Sequence, residues 1–338
     1  MHLHLIVPGL ARPLRRWQQD YAWQPHADHL EVLLAGARHR GRGAHNHIAM
    51  AAEVLGWQGD NLPIAAFRAQ GRLPPAKAGC DWVCADPVHL SADANSAVVW
   101  DSRRFDLRLD EAQELAAALN RALGDGDWHF RVETAGEWYL SVPADDVPNA
   151  AMLHEVAGRD LRHVAAPNAG SSKWRTRLTE IQMILHGHPV NLAREARGEP
   201  AVNSLWCWGG GHPATWEPDA LARVIGGGSV LAGMAAAAGL THTKSELDEF
   251  APPLRGGAIL LVLDDLAEAA AYDDIQAWER TLGRLNSTWF ARLVRALDTG
   301  EVADIELHAD GNRWHIRRRS RLARWRRPRA LAAQLADS

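Results

Sequence analysis

Apolar positions along the chain follow two periods. Short runs rich in β-branched and large apolar residues predict strands at 3–7 ("LHLIV"), 203–208 ("NSLWCW"), 222–225, 258–263 ("AILLVL") and 303–308, with "RWHIRR" after the last. Each is closed by a turn or acidic signal, such as Pro8-Gly9, Gly209–Gly211 or Asp264-Asp265. A 3.6-residue period takes over in "ADHLEVLLAGA", "AHNHIAMAAEVLGW", "EAQELAAALNRAL" and about 273–297. Trp174, Leu178, Ile181 and Leu185 share one helical face, and that helix stops at Gly187 and Pro189. Asp110 and Gln113 have the spacing of a capping box. "RHRGRG" (38–43) reads as a basic loop, and "DWVCADPVHL" as a short apolar segment stopped by Asp86-Pro87.

Strands alternating with helices predict an α/β fold whose five main strands form one mainly parallel sheet, covered by helices on both faces. The stretch "WHFRVETAGEWYLSV" predicts a hairpin. It falls in a Pro-, Gly- and Asn-rich region at 125–172, read as a smaller inserted α+β unit in a core made of 1–124 and 173–338.

Composition narrows the classes. With 338 residues, 47% hydrophobic and 23% charged, the chain is long enough to bury a large core. A net charge of −4 implies no general attraction to nucleic acid. No apolar run has the length of a membrane span, and the first residues do not form a signal peptide. Cys80, Cys84 and Cys207 are too few for a disulfide framework, which points to reduced thiols and a cytoplasmic location. Nine Arg lie between Arg313 and Arg329, either a solvated tail or a docking patch for an acidic protein partner.

The most distinctive stretch is "HPVNLAREARGEPAVNSLWCWGGGHP", residues 188–213. Arg194 is suited to hold a phosphate or carboxylate through two parallel N–H bonds, and Gly209, Gly210 and Gly211 let backbone approach a ligand. Asn191 and Asn203 supply neutral hydrogen bonds. These six residues are the candidate site for a small anionic ligand; the alternatives are a plain core strand with a glycine turn, or Arg194 bracing Glu195 or Glu199. Trp206 and Trp208 are two apart, so both should face the core with Cys207 opposite. Gly226-Gly227-Gly228-Ser229 opens a helix but matches neither common phosphate-loop pattern. His186 and His188 read as helix-end residues.

His188, Pro189, Val190, Asn191, Arg194, Gly198, Asn203, Trp206, Trp208, Gly209 and Gly211 together resemble the archaeal-type cofactor-independent phosphoglycerate mutases. The runs "ADPVHL" and "EIQMILHGHPVN" resemble a bacterial branch of that family, the phosphoglycerate mutase-like or RpfE-type regulatory proteins. The resemblance is specific over 170–240, looser over 255–318 and weak before 80. It implies an alkaline-phosphatase-like core with an inserted domain, two divalent metals and a phosphoryl-carrying Ser. The sequence departs from that chemistry. Pro8-Gly9 stands where the family begins its metal site with Asp-Gly, and "RHRGRGAHNH" has no Ser for the nucleophile loop. Asp265, His308, Asp310 and His315 are the remnant metal candidates. The expectation is a regulatory or phosphosugar-acid-binding protein without a cofactor. The alternative is a phosphatase or mutase using Mn2+ or Zn2+ on displaced ligands such as His45, His47, Asp86, Asp265 and His308.

Overall fold

The computed structural model describes every residue except 22, 45, 60, 94–95, 125, 164–171, 213, 219–220, 246–256, 319–327 and 337–338. Its strands are β1 (His2–Ile6), β2 (Ala37–Arg42), β3 (Cys80–Asp93), β4 (Ser96–Asp101), β5 (His129–Val132), β6 (Trp138–Pro143), β7 (Ser204–Trp208), β8 (Leu221–Gly226), β9 (Thr241–Thr243), β10 (Ala258–Val262), β11 (Asp304–Ala309) and β12 (Asn312–Arg317). Seven form a mainly parallel sheet in the order β2-β12-β11-β1-β10-β8-β9, and the other five form an antiparallel sheet. Two compact units result, Met1–Gln58 with Thr215–Ser338, and Gly59–Ala214. The segment 125–172 lies within the second.

In the first unit, strand alternation sorts side chains onto two faces. Leu3, Leu5, Ile259, Leu261, Ile305, Leu307, Trp314 and Ile316 enter the main apolar cluster. Helices Arg12–Tyr21, Asp28–Leu34, Ile275–Leu285 and Ala291–Thr299 complete it with Trp17, Leu30, Trp278 and Leu293. Trp17, Trp23 and Trp278 meet edge to face with centroids 5.6–5.8 Å apart. On the opposite face Val224, Leu260 and Val262 are also fully buried. Helices His47–Val54 and Gly228–Ala237 pack against β1 and β8. Toward β11 and β12 that second face becomes polar, with His2, His4, Asp304, Glu306, His308, Arg313 and His315.

The second unit is organised by β3, which changes partners along one edge. Residues 80–84 pair with β6 and 88–93 with β4, while β7 pairs with 84–88 on the other edge. Pro87 was expected to end the segment, yet the strand runs through it. Between β6 and β4 one edge of β3 has no ladder partner among the described residues, so the missing proline N–H costs no ladder bond there. Helices Leu109–Leu123 and Ser172–His186 bring Leu115, Leu119, Trp174, Ile181 and Leu185 onto this unit's own apolar cluster.

Three further expectations are corrected. Strand 204–208 belongs to the antiparallel sheet, because its neighbour is β3 and not β10. Residues 37–42 form edge strand β2 against β12 and not a loop; their charged side chains suit a solvated edge. Glu111, not the Asp110 and Gln113 pair, accepts the Arg108 N–H at the helix start. The 129–143 hairpin stands outside the parallel sheet as expected. Among the described residues no helix is long and apolar enough to cross a membrane.

Gly226 of β8, which pairs with Val262 of β10, has φ +80°, and a Cβ there would lie 2.0 Å from the Val262 carbonyl oxygen. Gly226→Ala is expected to destabilise the protein by about 2–4 kcal/mol, because both backbone strain and a main-chain clash oppose it. A denaturant midpoint equal to wild type would contradict this.

Candidate functional site

The residues of 188–211 are heavily engaged by their own fold. His188 Nδ1 accepts from Val190 N at 3.2 Å and caps helix Pro189–Ala196; burial lowers its pKa. Asn191 donates to the carbonyls of Leu185 and Val202, and accepts from Val202 N at 2.9 Å. Arg194 is completely buried. Its Nε donates to Pro200 O at 2.9 Å, and its Nη1 to Asp106 O at 2.9 Å and Glu111 Oε2 at 2.6 Å. Nη2 is buried without a hydrogen-bond partner. Burial works against the Glu111 charge, but hydrogen bonds from Arg108 N, Arg194 and Arg197 hold its carboxyl below the usual range.

Asn203 exchanges two hydrogen bonds with the Leu90 backbone, at 2.7 and 3.0 Å. It also lines an open cavity of about 370 Å³ with Leu90, Thr179, Gln182, Met183 and His186. Among the described residues lining that cavity His186 is the one basic group, with no Arg or Lys. The glycines have other neighbours. Gly209 O accepts from Ala65 N at 2.7 Å. A Cβ on Gly209, Gly210 or Gly211 would lie 3.0 Å from Ile64, 2.7 Å from Val147 or 3.3 Å from Pro63. The close approach that these glycines permit is made by protein. Arg194 and the glycine turn thus have separate surroundings.

Both faces of β7 are buried. Leu205 and Cys207 join the apolar cluster, whereas Trp206 and Trp208 lie on the opposite face and donate to Ala151 O and Asp86 Oδ2. Trp206 and Trp208 thus share one buried face with Cys207 opposite, as expected, and the opposite face is buried as well. Asp86 is the centre of a buried polar group. Its carboxylate takes both terminal nitrogens of Arg68 at 2.8 Å, Trp138 N at 3.1 Å and Trp208 Nε1 at 2.9 Å. Arg68 also donates to Trp138 O and stacks 4.6 Å over the Tyr139 ring. Burial opposes the Arg68 charge, and Asp86 more than restores it. Sequence reasoning placed Asp86 among metal candidates and missed Arg68, whose lone basic residue in "IAAFRA" was the available signal.

In the first unit the remnant metal candidates do not form one cluster. Asp310 accepts from Gly9 N, Ala11 N and Arg12 N at 2.7–2.9 Å. It sits at φ +47° and serves the start of helix Arg12–Tyr21. Burial and Asp264 raise the Asp265 pKa. His308 Nε2 lies 3.9 Å from Glu306 Oε1, and His315 Nε2 3.9 Å from Asp304 Oδ2. His45 lies outside the described residues, as does most of the Arg-rich run. Among the described residues the groups of three or more possible ligands within reach of one ion are His2, His4 and Glu306, and His26, Asp28 and Glu31. Neither contains Asp265, His308, Asp310 or His315. The residues present do not fit the two-metal centre that the resemblance implies.

The first of these groups was not anticipated. Register pairs His2 with Asp304 and His4 with Glu306 across β1 and β11, and Glu306 with His315 across β11 and β12. Burial, helped by His2, brings His4 down to about 4. Burial brings His308 to about 4 against the pull of Glu306. The signal was the period-two placing of His and Glu in "HLHL" and "DIELH".

No protein-family model matches the chain, and no curated protein matches it. Among solved structures it is similar to a cofactor-independent phosphoglycerate mutase from Thermoplasma acidophilum DSM 1728, at 15% identity and TM-score 0.39, covering 93% of this chain and 88% of that one. It is also similar to the PH0037 protein from Pyrococcus horikoshii, at 14% identity and TM-score 0.46, covering 93% of this chain and 87% of that one.

Two outcomes follow from these contacts. Asp86→Ala strands a buried guanidinium and is expected to cost about 3–5 kcal/mol in equilibrium unfolding; a loss under about 1 kcal/mol would show that Arg68 finds water or another partner. Burial pushes the Cys84 thiol far up and the Cys207 thiol up to about 12, while Cys80 is half-buried. A thiol reagent at neutral pH should therefore modify Cys80 in the native protein, and Cys84 and Cys207 only after denaturation. Rapid native modification of all three would contradict this.

Proposed function

We propose that this chain is a phosphoglycerate mutase-like protein, on an alkaline-phosphatase-like frame, that has lost phosphoryl-transfer chemistry and works as a regulatory protein. One observation carries the reading. The turn after β1, where the resembled family begins its metal site, is held here by structural bonds. Gly9 N donates to Asp310, and Gly9 O accepts from Trp278 Nε1 at 2.7 Å. A carboxylate whose oxygens already hold three amides is a poor metal ligand, and no Ser stands in 38–47 to carry a phosphoryl group.

The displaced-ligand reading finds less support. Asp86 is spent on Arg68, Trp138 and Trp208. A phosphosugar-acid site at 188–211 would have to recruit Arg194 away from Glu111, leaving that carboxylate buried and underpaired.

Purified protein is expected to interconvert 3- and 2-phosphoglycerate no faster than a blank, with or without Mn2+. Turnover that disappears in Asp265→Ala would overturn the reading. Calorimetric titration with 3-phosphoglycerate is expected to give no saturable heat. Binding that Arg194→Lys weakens would instead restore the anion site.

A further inference from the structure

The polar face of β1 and β11 has no part in the proposed loss of mutase chemistry, and its geometry has a use of its own. We propose that His2, His4 and Glu306 bind a divalent transition-metal ion of the Zn2+ class. The three side chains come from adjacent parallel strands in register, so the sheet itself sets their spacing. His4 Nδ1 lies 3.7 Å and His2 Nε2 3.9 Å from the same oxygen, Glu306 Oε2. Those separations are too long for hydrogen bonds. They are near the roughly 3.3 Å between ligand atoms on a tetrahedral Zn2+ with bonds of about 2.0–2.1 Å. Two imidazoles and one carboxylate form a donor set that this ion takes while keeping a position for water.

Three observations point to an ion and not to a simple charge network. His4 Nδ1 is buried and has no hydrogen-bond partner. His308 is 3% exposed, and its Nε2 is also buried without a partner, 3.9 Å from the other Glu306 oxygen. Thus two orphaned ring nitrogens lie within 4 Å of one carboxylate, each near a different oxygen. His2 bonds Asp304 through Nδ1, which leaves Nε2, 3.9 Å from Glu306 Oε2, outside that bond. An imidazole fixed by a carboxylate behind it is the usual outer arrangement of a metal-binding His. The nearby cation Arg313 is tied to Glu53 at 2.5 Å. The site is open to solvent, since His2 and Glu306 side chains are 36% and 28% exposed.

The test is calorimetric titration of chelator-stripped full-length protein with Zn2+, with bound metal counted after gel filtration. One Zn2+ per chain is expected. His2→Ala, His4→Ala and Glu306→Gln should each weaken binding by about 100-fold or more, and Asp304→Asn by about 10–100-fold. His26→Ala, in the other ligand group, should leave it unchanged. Zn2+ should raise the melting temperature of wild type and not of the ligand variants. Because His2 lies at the exposed end of β1, His2→Ala keeps the test valid if His4→Ala fails to fold. Absence of saturable binding by wild type would overturn the proposal. So would binding that survives in His2→Ala and Glu306→Gln, or binding that His26→Ala abolishes. None of these outcomes depends on mutase turnover.

Discussion

The arrangement of the first unit depends on how one carboxylate is satisfied. Asp310 follows β11 in the left-handed conformation and collects three amide hydrogens from the turn and helix after β1. A helix start leaves several N–H groups without partners, and a carboxylate there gains from both hydrogen bonds and the helix dipole. The bond joins residues some 300 positions apart and ties β1, its helix and β11 together. Trp278 secures the same turn from the helical layer through the Gly9 carbonyl. A strand end of this kind can either hold an ion or hold a helix, and here its acidic group is committed to the helix.

The second unit solves a different problem. Asp86 and Arg68 are both buried, so each needs the other as well as hydrogen bonds for the remaining lone pairs. The Trp138 amide and the Trp208 indole supply these, and the Tyr139 ring covers the guanidinium. Such a pair specifies register. It draws β3, β6, β7 and helix Ile64–Ala69 to one point, and a slip of any strand would bury an unpaired charge.

Much of the frame was legible because local pattern and tertiary environment agree. The runs at 3–7, 222–225, 258–263 and 303–308 became parallel strands: 258–263, covered on both faces, is apolar throughout, whereas 3–7 and 303–308 alternate because one of their faces is polar. The Trp174 face of helix 172–186 is buried as its period implied. Pairing was not legible. Residues 203–208 have the composition of a parallel core strand, yet they are buried by an antiparallel neighbour, and composition does not encode which strand lies alongside. Residues 37–42 carry charges and a glycine, so an edge strand looks like a loop until its partner β12 is known. The His2, His4 and Glu306 group was hidden for a similar reason. Glu306 lies 302 positions after His4, and only strand register makes it a neighbour of the two histidines.

The run at 188–211 shows how much structural bonding a conspicuous motif can carry. Pro189 opens a helix at a position where no N–H is needed, and His188 caps it. Asn191 bridges the Leu185 carbonyl at the end of one helix and the Val202 backbone ahead of β7, and Arg194 neutralises Glu111 while tying down Asp106 and Pro200. The glycines admit Ile64, Val147 and Pro63. Each residue that made the stretch conspicuous thus has work inside the second unit. Arg194 Nη2 and several other buried atoms also lack partners, but on the polar face of β1 and β11 two such groups meet at one carboxylate. There the orphaned nitrogens of His4 and His308 lie near Glu306, and a solvated sheet face keeps the cluster within reach of an ion.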